Sequence, residues 1–301
     1  MKGAAALRIR FWGVRGSYPT PGPSTVGVGG NSSCVEIDAG DHTLIFDAGT
    51  GLIGLGRDLV RRPGEPQVHI FLSHLHHDHI EGLRFFAPVY SPEWNCHVYG
   101  AASGAPETLE RLLAQTMSPR LFPVSLSQLP ARLSIRNLKE RERFHFGSRT
   151  PTEVVARYSR AHPKVGVTLY RVNRGGRSVV YASDVESPKG GFEDVVALAR
   201  GADVLIHDAQ YTDEEYYGGH LNKSGWGHST VLMAAQAARA AKVEQLILYH
   251  HDPEHNDAEV HRLEQLAQTI FPNSHAAIEG MELELAPRHK RTTRKRRSTE
   301  D

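Results

Sequence analysis

The chain of 301 residues holds only two cysteines, Cys34 and Cys96, far apart in sequence. They form no Cys-x-x-Cys pair and no disulfide framework, which fits a reducing, cytoplasmic location. No run of 18 apolar residues occurs, and residues 1–7 are too short for the hydrophobic part of a signal peptide. A membrane partner is therefore not expected. A large excess of one charge is missing as well, the formal charge being +1. Residues 288–301 carry seven Lys/Arg and two acids, a local +5 that leaves −4 for residues 1–287. Such a mildly acidic body argues against a broad polyanion-binding face. The basic tail has almost no hydrophobic residues, so disorder is expected there; a tail of this kind is more often solvated than bound to nucleic acid.

What the chain does have is an ordinary globular composition, 40% hydrophobic and 23% charged, enough to bury a sizeable core. Its most informative stretch is 70–82, Ile-Phe-Leu-Ser-His-Leu-His-His-Asp-His-Ile-Glu-Gly. An apolar run reads as a buried strand that breaks into four histidines and an aspartate at the rim of a sheet. Side chains two apart on extended backbone point the same way, so His74 and His76 can hold one metal. Asp78 and His79 follow where the chain turns and can face a second metal, while His77 has the wrong parity. Ligands this dense beside an apolar strand are costly unless they coordinate something.

Strands are expected at 7–13, 33–38, 43–47 and 96–99, and helices at 52–61, from His79 to about Ala87, and at 106–116. Asp47 can cap the helix at 52–61 or hold the metal loop, and sequence leaves the two open. Residues 117–130 fit neither pattern; their apolar side chains suggest a lid, a dimer contact, or packing on their own domain. Strands follow at 132–138, 143–146, 152–159, 166–172 and 178–182. Helices at 192–199, 230–241 and 257–270 then alternate with strands at 203–207 and 245–249, and 276–285 closes the chain as a strand or hairpin. No internal repeat stands out. Two mostly β halves with helices outside suggest an α/β four-layer αββα sandwich, one domain over 1–287 with the tail 288–301 appended.

His-x-His-x-Asp-His is the signature of the metallo-β-lactamase fold, and the chain resembles that superfamily. In it a His, an Asp and a final His follow later strands; here these are His162, Asp184 and His250, with His251 as the rival of His250. The resemblance implies one metal on His74, His76 and His162, another on Asp78, His79 and His250, and Asp184 between them. Such ligands suit two divalent ions, Zn²⁺ first, with Mn²⁺ or Fe²⁺ open.

Gly227-His228-Ser229-Thr230 and His207-Asp208-Ala209-Gln210-Tyr211 resemble the ribonuclease Z branch. That likeness implies a relay in which Asp208 orients His228 for proton donation, with Asp78 also in the catalytic set. The loop 13–33 is similar to the glycine-rich entry loop of phosphodiesterases, which implies substrate contacts by Arg15, Ser17 and Asn31, and the ribonuclease Z likeness adds His228. Over 8–285 the pattern looks most like bacterial and phage cyclic-nucleotide phosphodiesterases, the anti-Pycsar proteins among them. No long Gly/Pro-rich arm of the kind that grips tRNA is evident. The implied activity is hydrolysis of a small phosphodiester, a 3′,5′-cyclic nucleotide, by a metal-bridging hydroxide in a homodimer. Segments 117–130 and 211–226 would border the partner's site. The rivals are a phosphodiesterase for RNA 3′ ends or a cyclic sugar phosphate, a thioester or lactam hydrolase, and a non-catalytic nucleotide-binding module.

Overall fold

The computed structural model describes residues 7–40, 42–101, 107–147, 150–218 and 221–288. Apart from Arg288, the basic tail lies outside the described residues. The first half of the chain gives β1 (Leu7–Gly13), β2 (Cys34–Asp38), β3 (Thr43–Phe46), α1 (Gly51–Leu59), β4 (Gln67–Phe71), β5 (Asn95–Gly100), α2 (Leu109–Thr116) and β6 (Arg132–Asn137). The second gives β7 (Arg141–Phe146), β8 (Thr152–Ser159), β9 (Val167–Arg174), β10 (Arg177–Ala182), α3 (Gly191–Ala199), β11 (Val204–Asp208) and α4 (Asp213–Tyr217). It continues with α5 (Val231–Ala241), β12 (Gln245–Tyr249), α6 (Asp257–Gln268), β13 (Ser274–Ala276) and β14 (Glu282–Leu285). They build two seven-stranded sheets, ordered β14-β1-β2-β3-β4-β5-β6 and β13-β12-β11-β10-β9-β8-β7.

Each sheet begins antiparallel and turns parallel, from β3 to β6 in the first and from β10 to β13 in the second. The topology therefore repeats where the sequence shows no repeat. β4 is buried on both faces, as a parallel central strand must be. Val68 and Ile70 face the helical layer of α1 and α2, and Phe71 faces the opposite sheet. On the far side the alanines of α5 (Ala234, Ala235, Ala237, Ala238 and Ala241) let it lie close between α3 and α6. The result is the expected αββα sandwich, with one core between the sheets and one under each helical layer.

Three buried tyrosines lock the sheets in register. Tyr170 donates to the Leu72 carbonyl at 2.6 Å, Tyr181 to Asp47 Oδ2 at 2.7 Å and Tyr249 to the Gly13 carbonyl at 2.8 Å. Each is worth about 1 kcal/mol net and more if one partner is removed. All three cross from the second sheet to the first near the edge where the histidines gather.

Some local expectations are corrected. No α-helix runs from His79 to Ala87; short 3₁₀ turns at His77–His79, Leu83–Phe85 and Ala87–Tyr90 take its place. Ala48 donates to the His79 carbonyl and accepts the Gly82 amide, both at 2.8 Å, so these groups cannot join a helical ladder. Of the two alternatives for the closing segment the strand holds and the hairpin does not, because β13 pairs with β12 and β14 with β1. Between them the Gly280 amide reaches the Phe11 carbonyl as the chain crosses sheets. In 117–130, Met117, Leu126 and Leu129 are buried under the α1/α2 layer, while Leu121 stays 69% exposed. The short α4 was not anticipated, although its Thr212–Glu215 capping box is a sequence-level start signal. Among the described residues no helix is long and apolar enough to cross a membrane.

Candidate metal centre

β8 is antiparallel to β9, and β9 to β10, so β8, β10, β11 and β12 all aim their carboxyl ends at one edge. The loop after β4 meets them there, as the placement of sites beyond the carboxyl ends of strands requires. His74, His76, His162 and Asp184 form one group of potential ligand atoms, and Asp78, His79 and His250 another. A third, Asp184, Asp208, His228 and His250, overlaps them, and within each group the atoms lie within 4.8 Å of one another.

The second group is the tighter. His79 Nε2 lies 3.1 Å from both Asp78 Oδ2 and Asp184 Oδ1, and His250 Nε2 lies 3.2 Å from the same two oxygens. The two imidazole nitrogens are themselves 3.2 Å apart. Ligands about 2.0 Å from one Zn²⁺ at the tetrahedral angle would stand about 3.3 Å apart. In the first group His74 Nε2 is 3.5 Å from Asp184 Oδ2.

The donors fit a cation. His79 Nδ1 donates to Asp47 at 2.8 Å and His250 Nδ1 to the Gln210 amide oxygen at 3.0 Å, so both Nε2 atoms are turned towards each other and towards the Asp78 and Asp184 carboxylates. His74 Nδ1 donates to Ser73 Oγ at 3.1 Å, and its buried Nε2 has no hydrogen-bond partner. His162 Nδ1 is held by the Gly227 carbonyl at 3.1 Å. Burial pushes His74, His76 and His162 below the usual imidazole range, keeping them in the neutral form that ligates metals. Burial alone would raise the Asp184 carboxyl, but the imidazoles of His250, His79 and His74 outweigh it and hold the group anionic.

The alternative for Asp47 is settled by its contacts. Thr50, not Asp47, precedes α1, and the Asp47 carboxylate accepts the Ser73 amide at 2.6 Å, the Ser73 hydroxyl at 2.7 Å, His79 and Tyr181. It fixes the tautomer and direction of His79 from behind. Asp47, Asp184, His250 and Ser17 all have positive φ, from 53° to 62°, a costly conformation for residues other than glycine. Glycine permits the remaining close approach at Gly16, where a Cβ would lie 2.4 Å from His250 Nδ1.

His228 Nδ1 lies 2.7 Å from Asp208 Oδ2, and the other Asp208 oxygen accepts the Ser229 amide at 3.0 Å. Burial works against a positive His228, yet the Asp208 carboxylate prevails and lifts its pKa to about 9. A cavity of about 310 Å³ is lined by Ser17, His76, His77, Asp78, Asp184 and His228. The Ser17 amide donates to Asp78 Oδ2 at 2.8 Å, so the entry loop does reach the cluster.

Arg15 and Asn31 do not follow their expected roles. Arg15 is fully buried and donates to the carbonyls of Gly29, Asp252 and His255, bracing the loop instead of presenting charge. Asn31 turns its amide to Glu279 at 3.0 Å on an exposed surface. His77 stays out of the ligand groups but edges the cavity, and His251 spends Nε2 on the Ala277 carbonyl at 3.0 Å.

Two positioning residues escaped the sequence reading. Gln210 joins His250 to Ser17 Oγ, which accepts its amide at 3.1 Å. Glu186 is fully buried and accepts Tyr216 OH at 2.5 Å and the amides of Gly225 and Gly227 at 2.7 and 3.0 Å, which fixes the loop ahead of His228.

Two mixed sheets between helical layers, with paired His/Asp groups on their common edge, define the metallo-β-lactamase fold. The chain belongs to the beta-lactamase superfamily, whose domain model matches residues 42–251. In sequence it is similar to ribonuclease Z of Thermoplasma acidophilum, 27% identical over an alignment of 326 residues that covers 95% of this chain and 98% of that protein. In fold it is similar to the metallo-beta-lactamase fold protein YhfI of Bacillus subtilis, with TM-score 0.66 and 19% identity over 93% of this chain and 99% of the other. A diphosphatase of the PhnP family aligns with TM-score 0.64 and 16% identity, over 93% and 98%.

Proposed function

We propose that the protein is a metal-dependent phosphodiesterase that hydrolyses a small phosphodiester, a 3′,5′-cyclic nucleotide, to its 5′-monophosphate. The observation that carries this reading is the Asp208–His228 pair at 2.7 Å, facing the cavity that Asp78 and Asp184 also line. The likeness to a ribonuclease over 95% of the chain supports phosphodiester chemistry.

Two Zn²⁺ ions are the cofactors in this reading, with Mn²⁺ or Fe²⁺ as substitutes; His74, His76 and His162 would hold one, Asp78, His79 and His250 the other, with Asp184 within reach of both groups. When bound, such ions neutralise phosphoryl charge and lower the pKa of water to about 7. The chain's own groups do the rest. Asp208 engages His228 Nδ1, which leaves Nε2–H as the proton to give, and the raised pKa keeps the ring cationic at neutral pH. Water adds to phosphorus and gives up a proton, the bond to the 3′ oxygen breaks, His228 protonates that oxygen as it departs, and the proton released from water returns the ring to its cationic form. Asp208 offsets the ring's charge before the transfer, and Ser17 fixes Asp78 through its amide.

A homodimer fits the exposed Tyr217 (60%), Leu221 (57%) and Trp226 (50%) around the loop that carries His228. The free, buried Cys34 and Cys96 fit a reducing cytoplasm. A second reading, cleavage at RNA 3′ ends, is favoured by the ribonuclease Z likeness. Assaying metal-loaded protein against the four common 3′,5′-cyclic mononucleotides, 2′,3′-cyclic nucleotides and a pre-tRNA decides between them. Turnover of a 3′,5′-cyclic nucleotide to the 5′-monophosphate is expected; cleavage of pre-tRNA alone would transfer the assignment to the second reading.

A further inference from the structure

Beside the histidine cluster lies a second, larger cavity of about 650 Å³, whose inner wall is formed by His74 and His76. Its outer wall comes from Leu112 and Gln115 of α2 and from Leu121, with Arg84 at one side. We infer that this cavity receives the organic group attached to phosphorus and is built for a bulky, uncharged aromatic such as a nucleobase. The inference rests on the phosphodiester reading for what that group is attached to.

Its volume is that of a site for one small molecule, not a track for a polymer. Among the described residues the lining contains no Asp or Glu, so a cationic group would lose its hydration there without gaining a partner. Leu75, Ile80, Ala101, Leu112 and Val165 give it an apolar side, and Leu121 stands 69% exposed at a position where a bound ring would cover it. Two groups can read the edge of such a ring. Gln115 carries both a donor and an acceptor. The Arg84 guanidinium, whose Nε donates to the Glu81 carbonyl at 3.3 Å, offers donors only. Together they favour a ring whose edge is rich in acceptors.

His74 and His76 belong both to this wall and to the first ligand group, so a phosphate held at the metal centre would carry its substituent straight into the cavity. Leu112 and Leu121 then determine how large that substituent can be. No residue of the proton relay lines this cavity, which separates recognition of the organic group from the chemistry at phosphorus.

The test is titration calorimetry of the metal-loaded full chain with 1-naphthyl phosphate and with methyl phosphate. The naphthyl ester is expected to bind about tenfold tighter or better, the scale on which an apolar pocket discriminates. Leu112→Trp, which fills the cavity, brings the ratio of affinities to about one, and Leu121→Asp, at an exposed position, lowers it several-fold. Equal affinities in the unmodified protein, or a ratio that both variants leave intact, would overturn the inference. Because binding is read without turnover, a protein that hydrolyses no diester yet keeps this ratio refutes the reaction and leaves the pocket standing. One that turns over methyl and naphthyl p-nitrophenyl phosphates with equal kcat/KM keeps the reaction and refutes the pocket.

Discussion

The carbonyl of Gly227 accepts the Nδ1 proton of His162 at 3.1 Å, and a Cβ at the same glycine would sit 2.3 Å from that ring. One residue of the loop ahead of His228 thus sets both the tautomer and the position of a candidate ligand 65 residues away. Gly227 also has φ +98°, which other residues adopt only with strain. Gly227→Ala is expected to push His162 out of the cluster and to weaken metal binding about 10- to 100-fold, the range for losing a ligand's supporting contact. Metal titration monitored by competition with a chelator checks this; unchanged affinity would show that His162 is not held through Gly227.

His228 gives the clearest activity prediction. Its folded pKa of about 9 lies above the ordinary 6.5, so the cationic, proton-donating form is present below that value and is lost as pH rises through it. Divalent ions on Asp184 would pull the limb lower, because they cancel charge that stabilises the cation. kcat should therefore fall on an alkaline limb at or below about pH 9. His228→Gln should lower kcat by about 10²- to 10⁴-fold and abolish the limb. A pH–rate profile of both proteins on a diester with a poor leaving group is the measurement, and a limb that survives the substitution belongs to another group.

The candidate cluster was legible because metal chemistry demands particular residue types, and here they fall just after apolar runs that could only be buried strands. Sequence order and strand ends therefore pointed to His162, Asp184 and His250, all of which the fold brings to one edge. Direction was harder to read than type. Arg15 has the charge of a phosphate ligand, but its guanidinium is taken by carbonyls of Asp252 and His255, more than 230 residues along the chain. Only the closed fold reveals those partners. Gln210 and Glu186 were missed for a related reason, since a neutral amide and a lone carboxylate carry no pattern that distinguishes a positioning role. The 3₁₀ turns from His77 onward were missed because Ala48, far upstream in the chain, takes the hydrogen bonds a helix would need.

Away from the site, His69 couples stability to pH. It is buried between the sheets near Phe146, and burial lowers its pKa to about 3 from the ordinary 6.5, with His97 adding to the effect. The unfolded chain thus binds this proton more readily, so the contribution is full above pH 6.5 and is lost as pH falls from 6.5 towards 3. The loss is at most about 1.4 kcal/mol per pH unit in that window. His69→Gln should flatten the acid side of the stability curve relative to the unmodified protein. Urea unfolding of both between pH 7 and pH 4.5 checks this, and parallel curves would contradict it.

The central claim is that two divalent ions are held by one cage of imidazoles and carboxylates, and metal content measures it most directly. Elemental analysis of protein reconstituted with Zn²⁺ and freed of excess should give about two ions per chain. His162→Ala should retain about one, because Asp78, His79, His250 and Asp184 remain. Less than one ion in the unmodified protein, or an unchanged count in the variant, would contradict the account.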